Sequence, residues 1–432
     1  MKLLVKCAHV VDPINNIDDV RNIVIDGNRI ESLETGEVSE TLFDKVIDAA
    51  GLHAFPGLID MHVHLREPGF EEKETIESGT RAAAAGGFTT VAAMPNTEPA
   101  IDNSAHVEYV RSRARHYGFC NVEVVGAITK RREGRELSEI GDLVQAGVVA
   151  ISDDGNTVAN SEIMRRAMEY LRMYDIPAIV HCEDESLSRD GVMNEGFNST
   201  RLGLKGMPHL AEETIVARDV IMAEKLGARL HVAHVSTRGA VEIIRRAKER
   251  GARVTCEATP HHFSLTDDLI ESYDANFKMN PPLRTHDDVL AILEGLRDGT
   301  IDAIASDHAP HTVEDKDVEF DYAPFGVIGL ETTLTVSLTN LVSKNILPLP
   351  ELIRKLSANP AKILGLTGRG HLSKGAIADV TLVDLNCERT IRSSEFESKA
   401  RNTPFEGFRG VGVVRFVINS GRVVYDGQIV RA

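Results

Sequence analysis

The sequence lacks any long hydrophobic run. Its longest uncharged stretch, residues 82–97, is interrupted by glycine, threonine and asparagine, whereas a helix that crosses a bilayer needs roughly 18 consecutive apolar residues. The apolar run at the N-terminus is too short for a signal peptide and is soon followed by Asp12. We therefore expect a soluble protein that does not span a membrane.

Basic residues are scarce relative to acidic ones. The 432 residues include 48 Lys and Arg against 65 Asp and Glu, which gives a formal net charge of −17. Such a surface repels nucleic acid and anionic lipid, so neither is an expected partner, although a local cluster of metal and arginine could still bind an anionic substrate. The five cysteines are scattered, odd in number and without a CxxC pair, which predicts reduced thiols in a cytoplasmic protein.

Several familiar motifs are also missing. No GxSxG sequence indicates a serine hydrolase, and the glycine-rich segment 365–375 lacks the GK[ST] ending of a phosphate-binding loop. The acidic segment 313–326 lacks the glycine and glutamate positions of a calcium loop. We expect this segment to be a solvated, mobile loop over the site, with Gly326 near its hinge.

What the sequence does contain is a series of eight short apolar runs separated by helical patterns. The runs are too continuously apolar for strands with one solvated face, and they are typical of a parallel sheet that is covered on both faces. Because no glycine fingerprint follows the first strand, a doubly wound open sheet is disfavoured and a (β/α)8 barrel is predicted over residues 55–371. The eight runs span residues 53–64, 88–94, 121–129, 147–153, 177–184, 229–236, 252–260 and 301–308.

The two ends of the chain differ from the middle. Residues 1–54 and 372–432 contain short strand patterns joined by DG and NSG turns. Each flank is too small to bury a core alone. We therefore predict that the flanks pack together as one composite β-sandwich beside the barrel.

Polar residues close most of the apolar runs. In a barrel these positions are the C-terminal strand ends, where active sites are built. Six potential metal ligands from five strands then converge on one mouth. The polar residues that close the runs are His62 and His64, Asn96, Asp153 and Asp154, His181, His234 and Asp307. Asn96 is not counted among the six potential ligands, and Asp153 and Asp154 are counted as one.

This set of side chains indicates a particular chemistry. Four imidazoles and two carboxylates are too many for one tetrahedral zinc ion, but they suit two metals bridged by a carboxylate. Two divalent ions can together activate a water and polarise a carbonyl, which predicts a binuclear hydrolase of amide-like bonds. Zinc is favoured by the histidines, although manganese and cobalt fit similar ligands.

A longer series of motifs supports this interpretation. The chain resembles the amidohydrolase superfamily and, within it, the dihydroorotases. This family carries out the reversible hydrolysis of L-dihydroorotate to N-carbamoyl-L-aspartate, a step of pyrimidine synthesis, through a metal-bridging hydroxide. The matching motifs, in chain order, are DMHVHLREPGF, MPNT, SDDG, HCED, HVST, TPHH, NPPLR, SDHAPH and NTPFEG.

The resemblance implies a ligand for each metal position. Many relatives carry a carbamylated lysine as the bridge, but the segment GVVAISDDG offers no lysine, so an aspartate is expected there. We choose Asp154, with Asp153 as the alternative. The implied ligands are His62, His64 and Asp307 for the more buried metal, His181 and His234 for the second metal, and Asp154 for both.

The resemblance also implies substrate contacts. Arg66, Asn96 and His311 would recognise the substrate carboxylate, which a guanidinium can bind through two parallel hydrogen bonds. Asn280 would make another substrate contact. Asp307 would take a proton from the attacking water and return it to the ring nitrogen.

Other polar residues near these motifs have simpler interpretations. We expect His261 and His262 to be structural or to support the ligands, because the metal set is already complete. His231 is expected to pack in the core and Cys182 to be a buried thiol. His308 stays unassigned.

Two rival functions remain. A hydantoinase or allantoinase acts on a neutral cyclic ureide, and such relatives usually carry the modified lysine and lack the arginine after HxH. A non-catalytic scaffold that partners an aspartate transcarbamoylase should have lost metal ligands, whereas all six are present here. A homo-oligomer, or a complex with that transcarbamoylase, is compatible with either enzyme.

Overall fold

A computed structural model describes residues 1–430, so the last two residues of the predicted composite domain lie outside the described part. Within it, no helix is sufficiently long and apolar to cross a membrane. The strands are β1 (Lys2–Asp12), β2 (Ile17–Asp26), β3 (Arg29–Glu34), β4 (Lys45–Asp48), β5 (His53–Pro56), β6 (Leu58–Val63), β7 (Phe88–Ala93), β8 (Asn121–Gly126), β9 (Ala150–Ile151), β10 (Ala178–Val180), β11 (Met193–Asn194), β12 (Gly206–Met207), β13 (Leu230–Val232), β14 (Val254–Ala258), β15 (Ala303–Ile304), β16 (Val380–Thr390), β17 (Arg409–Asn419) and β18 (Arg422–Tyr425).

Helices alternate with the central strands. Several of them begin with a side-chain cap; for example, the hydroxyl of Thr237 accepts a hydrogen bond from Ala240 N at the start of α8. The α-helices are α1 (Ile76–Ala85), α2 (Ser104–Tyr117), α3 (Ile140–Gln145), α4 (Ser161–Tyr174), α5 (Glu185–Ser188), α6 (Phe197–Leu202), α7 (His209–Leu226), α8 (Arg238–Glu249), α9 (Pro260–Ser264), α10 (His286–Asp298), α11 (Val313–Lys316), α12 (Thr333–Ser337), α13 (Leu349–Ile353) and α14 (Asn359–Leu364).

Eight parallel strands form the predicted (β/α)8 barrel. They are hydrogen bonded in the order β6, β7, β8, β9, β10, β13, β14 and β15. The barrel closes where His64 N donates to His308 O over 2.9 Å, next to a parallel bridge between Val63 and His308. Every residue of β6 and β7 is buried, as expected for strands covered on both faces.

The two chain flanks form one separate strand domain. Its strands make an eight-stranded mixed sheet in the order β18, β17, β16, β5, β1, β2 and β3, with β4 also paired to β1. Leu3, Ile23 and Leu382 are fully buried in its own apolar cluster. The N- and C-terminal flanks thus share one core, as predicted. Gly57 joins this domain to the barrel, where a Cβ atom would lie 2.1 Å from Thr89 Oγ1.

Candidate metal centre

One histidine–aspartate cluster lies where β6, β9 and β15 end. The His62 Nε2 atom is 3.3 Å from Asp154 Oδ1, and His64 Nε2 is 3.5 Å from Asp154 Oδ2. Asp307 Oδ1 lies 3.0 Å from His64 Nε2 and 3.6 Å from His62 Nε2. All four side chains are buried. The alternation of β6 therefore brings both histidines of the HxH motif to the same pair of carboxylates.

A second cluster shares Asp154 with the first. His181 Nδ1 lies 3.1 Å from His234 Nε2, and these two atoms lie 3.9 and 3.5 Å from Asp154 Oδ1. The ligand atoms of Asp154, His181 and His234 all lie within 4.8 Å of one another, as do those of His62, His64 and Asp154. Asp154 is thus placed as a bridge between two potential cation positions.

The hydrogen bonds on the far side of the rings show which nitrogen faces each cluster. His62 Nδ1 lies 2.7 Å from Glu257 Oε1, and His181 Nε2 lies 3.1 Å from Glu183 Oε2. A carboxylate accepts hydrogen bonds, so these two nitrogens carry a proton. The opposite nitrogens face the clusters, and each offers a lone pair to a cation when its ring is neutral.

Unpartnered atoms give a direct test of whether cations fit. His62 Nε2 and Asp154 Oδ1, which lie 3.3 Å apart, are buried without a hydrogen-bond partner. A lone pair that faces a buried carboxylate oxygen is repulsive unless a proton or a cation lies between them. The donor set, imidazole nitrogen and carboxylate oxygen, suits a divalent metal. The residues present therefore fit the metal site that the sequence predicts.

Two carboxylates of the site, Asp154 and Glu257, are ionised in spite of their burial. Burial alone would raise the pKa of Asp154, yet His62 and His234 hold it well below its ordinary value. Burial likewise opposes ionisation of Glu257, but its bonds to His231 and His62 lower the pKa of Glu257 to about 2. Both carboxylates are therefore ionised at neutral pH and add buried negative charge to the site.

Asp153 and Asp154 point in different directions. Asp153 accepts hydrogen bonds from the backbone N–H of Thr129, over 3.0 Å, and from the Thr129 hydroxyl. Both oxygens of Asp153 are thus bound to a neighbouring loop, while those of Asp154 face the four histidines. The structure brings Asp154, and not Asp153, into the cluster.

Two cluster residues have strained backbones. His234 has φ of 32° and Asp307 has φ of 48°, values that residues other than glycine rarely adopt. Both residues lie just beyond a strand, where the chain leaves the barrel. Such strain of about 1–3 kcal/mol per residue is typical of functional sites that the surrounding fold holds in place.

A cavity of about 520 Å³ opens above the clusters. The half-buried Arg66 donates through Nε to Pro310 O over 3.2 Å, and burial lowers the pKa of Arg66 to about 10, so its guanidinium stays charged at neutral pH. His311 Nε2 lies 2.8 Å from Phe325 O. The residues that surround the cavity include every predicted ligand except His62, together with Arg66, Asn96, Asn280, His311 and the loop residues Pro324, Phe325 and Gly326.

Two predicted substrate contacts also bind residues of the metal clusters. His64 Nδ1 lies 2.7 Å from Asn96 Oδ1, and Asn280 Nδ2 donates to Glu183 Oε2 over 2.6 Å. Each asparagine therefore contacts a ligand or its supporting carboxylate while also lining the cavity. The sequence alone did not indicate these contacts.

Three charged residues of the site were not predicted from the sequence: Glu257, Glu183 and Arg132. Glu257 is the one acidic residue inside the run at 252–260, and a charge in an otherwise buried strand is a signal of a functional or supporting role. Glu183 is the third residue of the HCED motif, and the motif by itself does not indicate that its carboxylate binds His181. Arg132 lies on a loop without any periodic pattern, so no local signal indicates it.

The residues that were predicted to be structural are buried. His231 is buried and sits between Glu257 Oε2 and the Thr255 hydroxyl. Cys182 is a buried free thiol, and His262 is buried against Pro281 O. His308 Nδ1 accepts a hydrogen bond from Gly329 N, which ties the end of the eighth strand to the chain that follows.

The structure resembles known hydrolases over nearly its whole length. The L-hydantoinase (dihydropyrimidinase) from Arthrobacter aurescens superposes with a TM-score of 0.90 at 25% identity, covering 99% of this chain and 97% of that one. The D-hydantoinase (dihydropyrimidinase) from Thermus sp. gives 0.84 at 25% identity, with 100% and 97% covered. Barrel, strand domain and histidine–aspartate centre together define a metal-dependent cyclic amidohydrolase.

Sequence relatives narrow this class. A family model described as dihydro-orotase-like matches residues 52–240. A dihydroorotase from Geobacter metallireducens is 53% identical over 98% of this chain and 100% of its own length. A dihydroorotase from Pelotomaculum thermopropionicum is 50% identical over 100% of both. The chain belongs to the dihydroorotase family.

Proposed function

We propose that this chain is a dihydroorotase that catalyses the reversible hydrolysis of L-dihydroorotate to N-carbamoyl-L-aspartate. The observation that carries the proposal is the position of Arg66, a charged guanidinium in the same cavity as the shared Asp154 cluster. An arginine at this place suits a substrate with a carboxylate. Identity of about half the residues with dihydroorotases over the full chain supports the same substrate.

Two divalent cations, with zinc favoured, would occupy the centre. His62, His64 and Asp307 would hold one, His181 and His234 the other, and Asp154 both. When bound, the cations would supply an activated water at neutral pH and polarise the attacked carbonyl. The hydrogen bonds from His62 to Glu257 and from His181 to Glu183 would keep the ring nitrogens oriented towards them.

The remaining side chains bind the substrate and move a proton. Arg66, Asn96 and His311 would hold the carboxylate of dihydroorotate, and Asn280 would contact the ring. Asp307 would accept the proton of the attacking water at its carboxylate and pass it to the ring nitrogen as the amide bond breaks. In ring closure the same carboxylate would act in the opposite direction.

Neutral cyclic ureides are the rival substrates to consider, since the superposed structures are hydantoinases. Such ligands have no carboxylate for Arg66. A guanidinium left unused in the closed site would lose hydration without gaining a partner, which disfavours this alternative.

Location and partners follow as further proposals. All five cysteines are free thiols, which supports a cytoplasmic enzyme. A homo-oligomer, or a complex with an aspartate transcarbamoylase, stays a prediction.

The test is an assay of purified protein whose metal content has been measured. Ring opening of L-dihydroorotate is followed by ultraviolet absorbance, with hydantoin and allantoin assayed in parallel. We expect turnover of dihydroorotate alone, with about two metals per chain. Turnover of hydantoin or allantoin instead would contradict the proposed substrate but not the binuclear centre. Absence of both bound metal and turnover would favour the non-catalytic scaffold.

A further inference from the structure

A second arginine reaches the cavity from another side of the barrel mouth. Arg132 lies in the loop after β8, and both it and Arg131 have left-handed backbones, with φ of 58° and 54°. This conformation costs roughly 1–2 kcal/mol for a residue with a side chain. The loop is nevertheless fixed to its surroundings, because Arg131 N donates to Asp102 Oδ2 and Asn156 Nδ2 donates to Arg132 O.

The guanidinium of Arg132 is only partly used by the protein. Its Nη2 donates to Asp154 O over 2.6 Å, while Nε is buried without a partner. A Cβ atom on Gly155 would lie 3.4 Å from Arg132 Nη2 and 3.8 Å from Asn96 Nδ2, so these two donors approach the same point. Arg132 and Asn96 both line the cavity above the metal centre.

Such a placement differs from a surface ion pair. The side chain donates to the main-chain carbonyl of Asp154. Its nearest negative charges are the carboxylates of Asp154 and Asp153, which act on it electrostatically without forming a salt bridge among residues 1–430. An arginine stays charged at neutral pH, so its positive charge acts on whatever occupies the cavity. At the same time, the bond to Asp154 O holds the charge in a fixed position.

We propose that Arg132 is a specificity-determining residue that makes the cavity prefer the dianionic open-chain ligand over the monoanionic ring. This inference rests on the proposed function. L-dihydroorotate carries one carboxylate, whereas N-carbamoyl-L-aspartate carries two. Because Coulomb energy is proportional to the charge of the ligand, a fixed cation at similar distances from both carboxylates favours the dianion about twice as strongly, in free energy, as the monoanion.

The same electrostatics gives a quantitative expectation. If loss of the Arg132 charge raises KM for the dianion about tenfold, KM for the monoanion should rise only about threefold, the square root of that factor. The equilibrium constant fixes the ratio of the two kcat/KM values. A change in the ratio of the two KM values must therefore be matched by an equal change, by the same factor and in the same direction, in the ratio of the two kcat values, which provides an internal check.

The experiment compares Arg132→Gln, Arg132→Lys and the matched control Arg131→Gln. Arg131 is the adjacent residue and its side chain is exposed, so its replacement removes the same charge from the same loop but not from the cavity. KM is measured in both directions, and bound metal and thermal unfolding are measured for each variant. We expect the KM ratio to change about threefold in Arg132→Gln and to stay at the wild-type value in Arg132→Lys and Arg131→Gln.

Three results would overturn the inference. If Arg132→Gln raises KM by the same factor for both ligands, or loses bound metal with an unchanged KM ratio, Arg132 only supports the Asp154 backbone. An equal effect in Arg131→Gln would mean that the general field of the loop is responsible. If Arg132→Gln fails to fold, a shifted KM ratio in Arg132→Lys would contradict a role for charge alone. Failure of the wild-type chain to turn over either ligand would instead contradict the proposed function itself.

Discussion

The floor and the rim of the cavity are built in different ways. The floor consists of the predicted metal ligands His64, Asp154, His181, His234 and Asp307, with His62 buried next to them. The rim consists of Arg66, Arg132 and His311. Behind the floor, the buried carboxylate of Glu257 and the partly buried carboxylate of Glu183 bind the histidines. On the rim, the partners are main-chain carbonyls of Pro310, Asp154 and Phe325.

This difference explains how one cavity can serve two kinds of ligand. Carboxylates behind the histidines fix the rings and add negative charge, so the floor attracts cations. Main-chain carbonyls fix the arginines without neutralising them, so the rim keeps positive charge for an anion. A chain with a net charge of −17 can therefore bind an anionic substrate locally.

The largest expected effect comes from breaking the floor at its shared ligand. Asp154→Asn removes a negative charge that both histidine pairs face. We expect loss of bound metal and a fall in kcat/KM of at least about 1,000-fold, because the activated water and the polarised carbonyl both depend on the centre. Metal analysis and the dihydroorotate assay measure the two effects.

The neighbouring aspartate provides the matched control for this change. Asp153→Asn alters the same functional group one residue away, but Asp153 binds Thr129 instead of the histidines. It should keep its metal and most of its activity. If Asp153→Asn loses its metal and Asp154→Asn keeps it, Asp153 and not Asp154 would be the shared metal ligand.

A smaller effect should follow from weakening the support behind the floor. Glu257→Gln replaces a charged acceptor of His62 with a neutral amide, which should reduce metal affinity about 10- to 100-fold. Competition with a chromogenic chelator measures this affinity. Glu331→Gln is the control, since Glu331 is also buried but accepts hydrogen bonds from Glu397 N and Ser398 N. Equal metal affinity in the two variants would refute a supporting role for Glu257.

The smallest of these effects concerns the rim. Arg66→Lys keeps the charge but loses the planar pair of donors, so KM for dihydroorotate should rise about tenfold while metal content is unchanged. Arg229→Lys is the control, because Arg229 is also half-buried and donates to main-chain carbonyls, but at the start of β13. A wild-type KM in Arg66→Lys would show that Arg66 does not bind the carboxylate through its fork.

Much of the floor could be predicted from the sequence. The apolar runs and their polar ends follow from local periodicity, because covalent geometry alternates side chains along a strand. For that reason the HxH spacing already placed His62 and His64 on one side. The barrel then brought five strand ends together, as its parallel order requires.

The orientation and support of the site were decided only by the tertiary structure. Neighbouring residues Asp153 and Asp154 have the same chemistry, and the contact with Thr129 separates them. Glu257 is 195 residues from His62 in the chain, and Arg132 reaches the cavity from an irregular loop. Local periodicity carries no information about such partners, since they meet only when long-range packing of the barrel brings distant segments into contact.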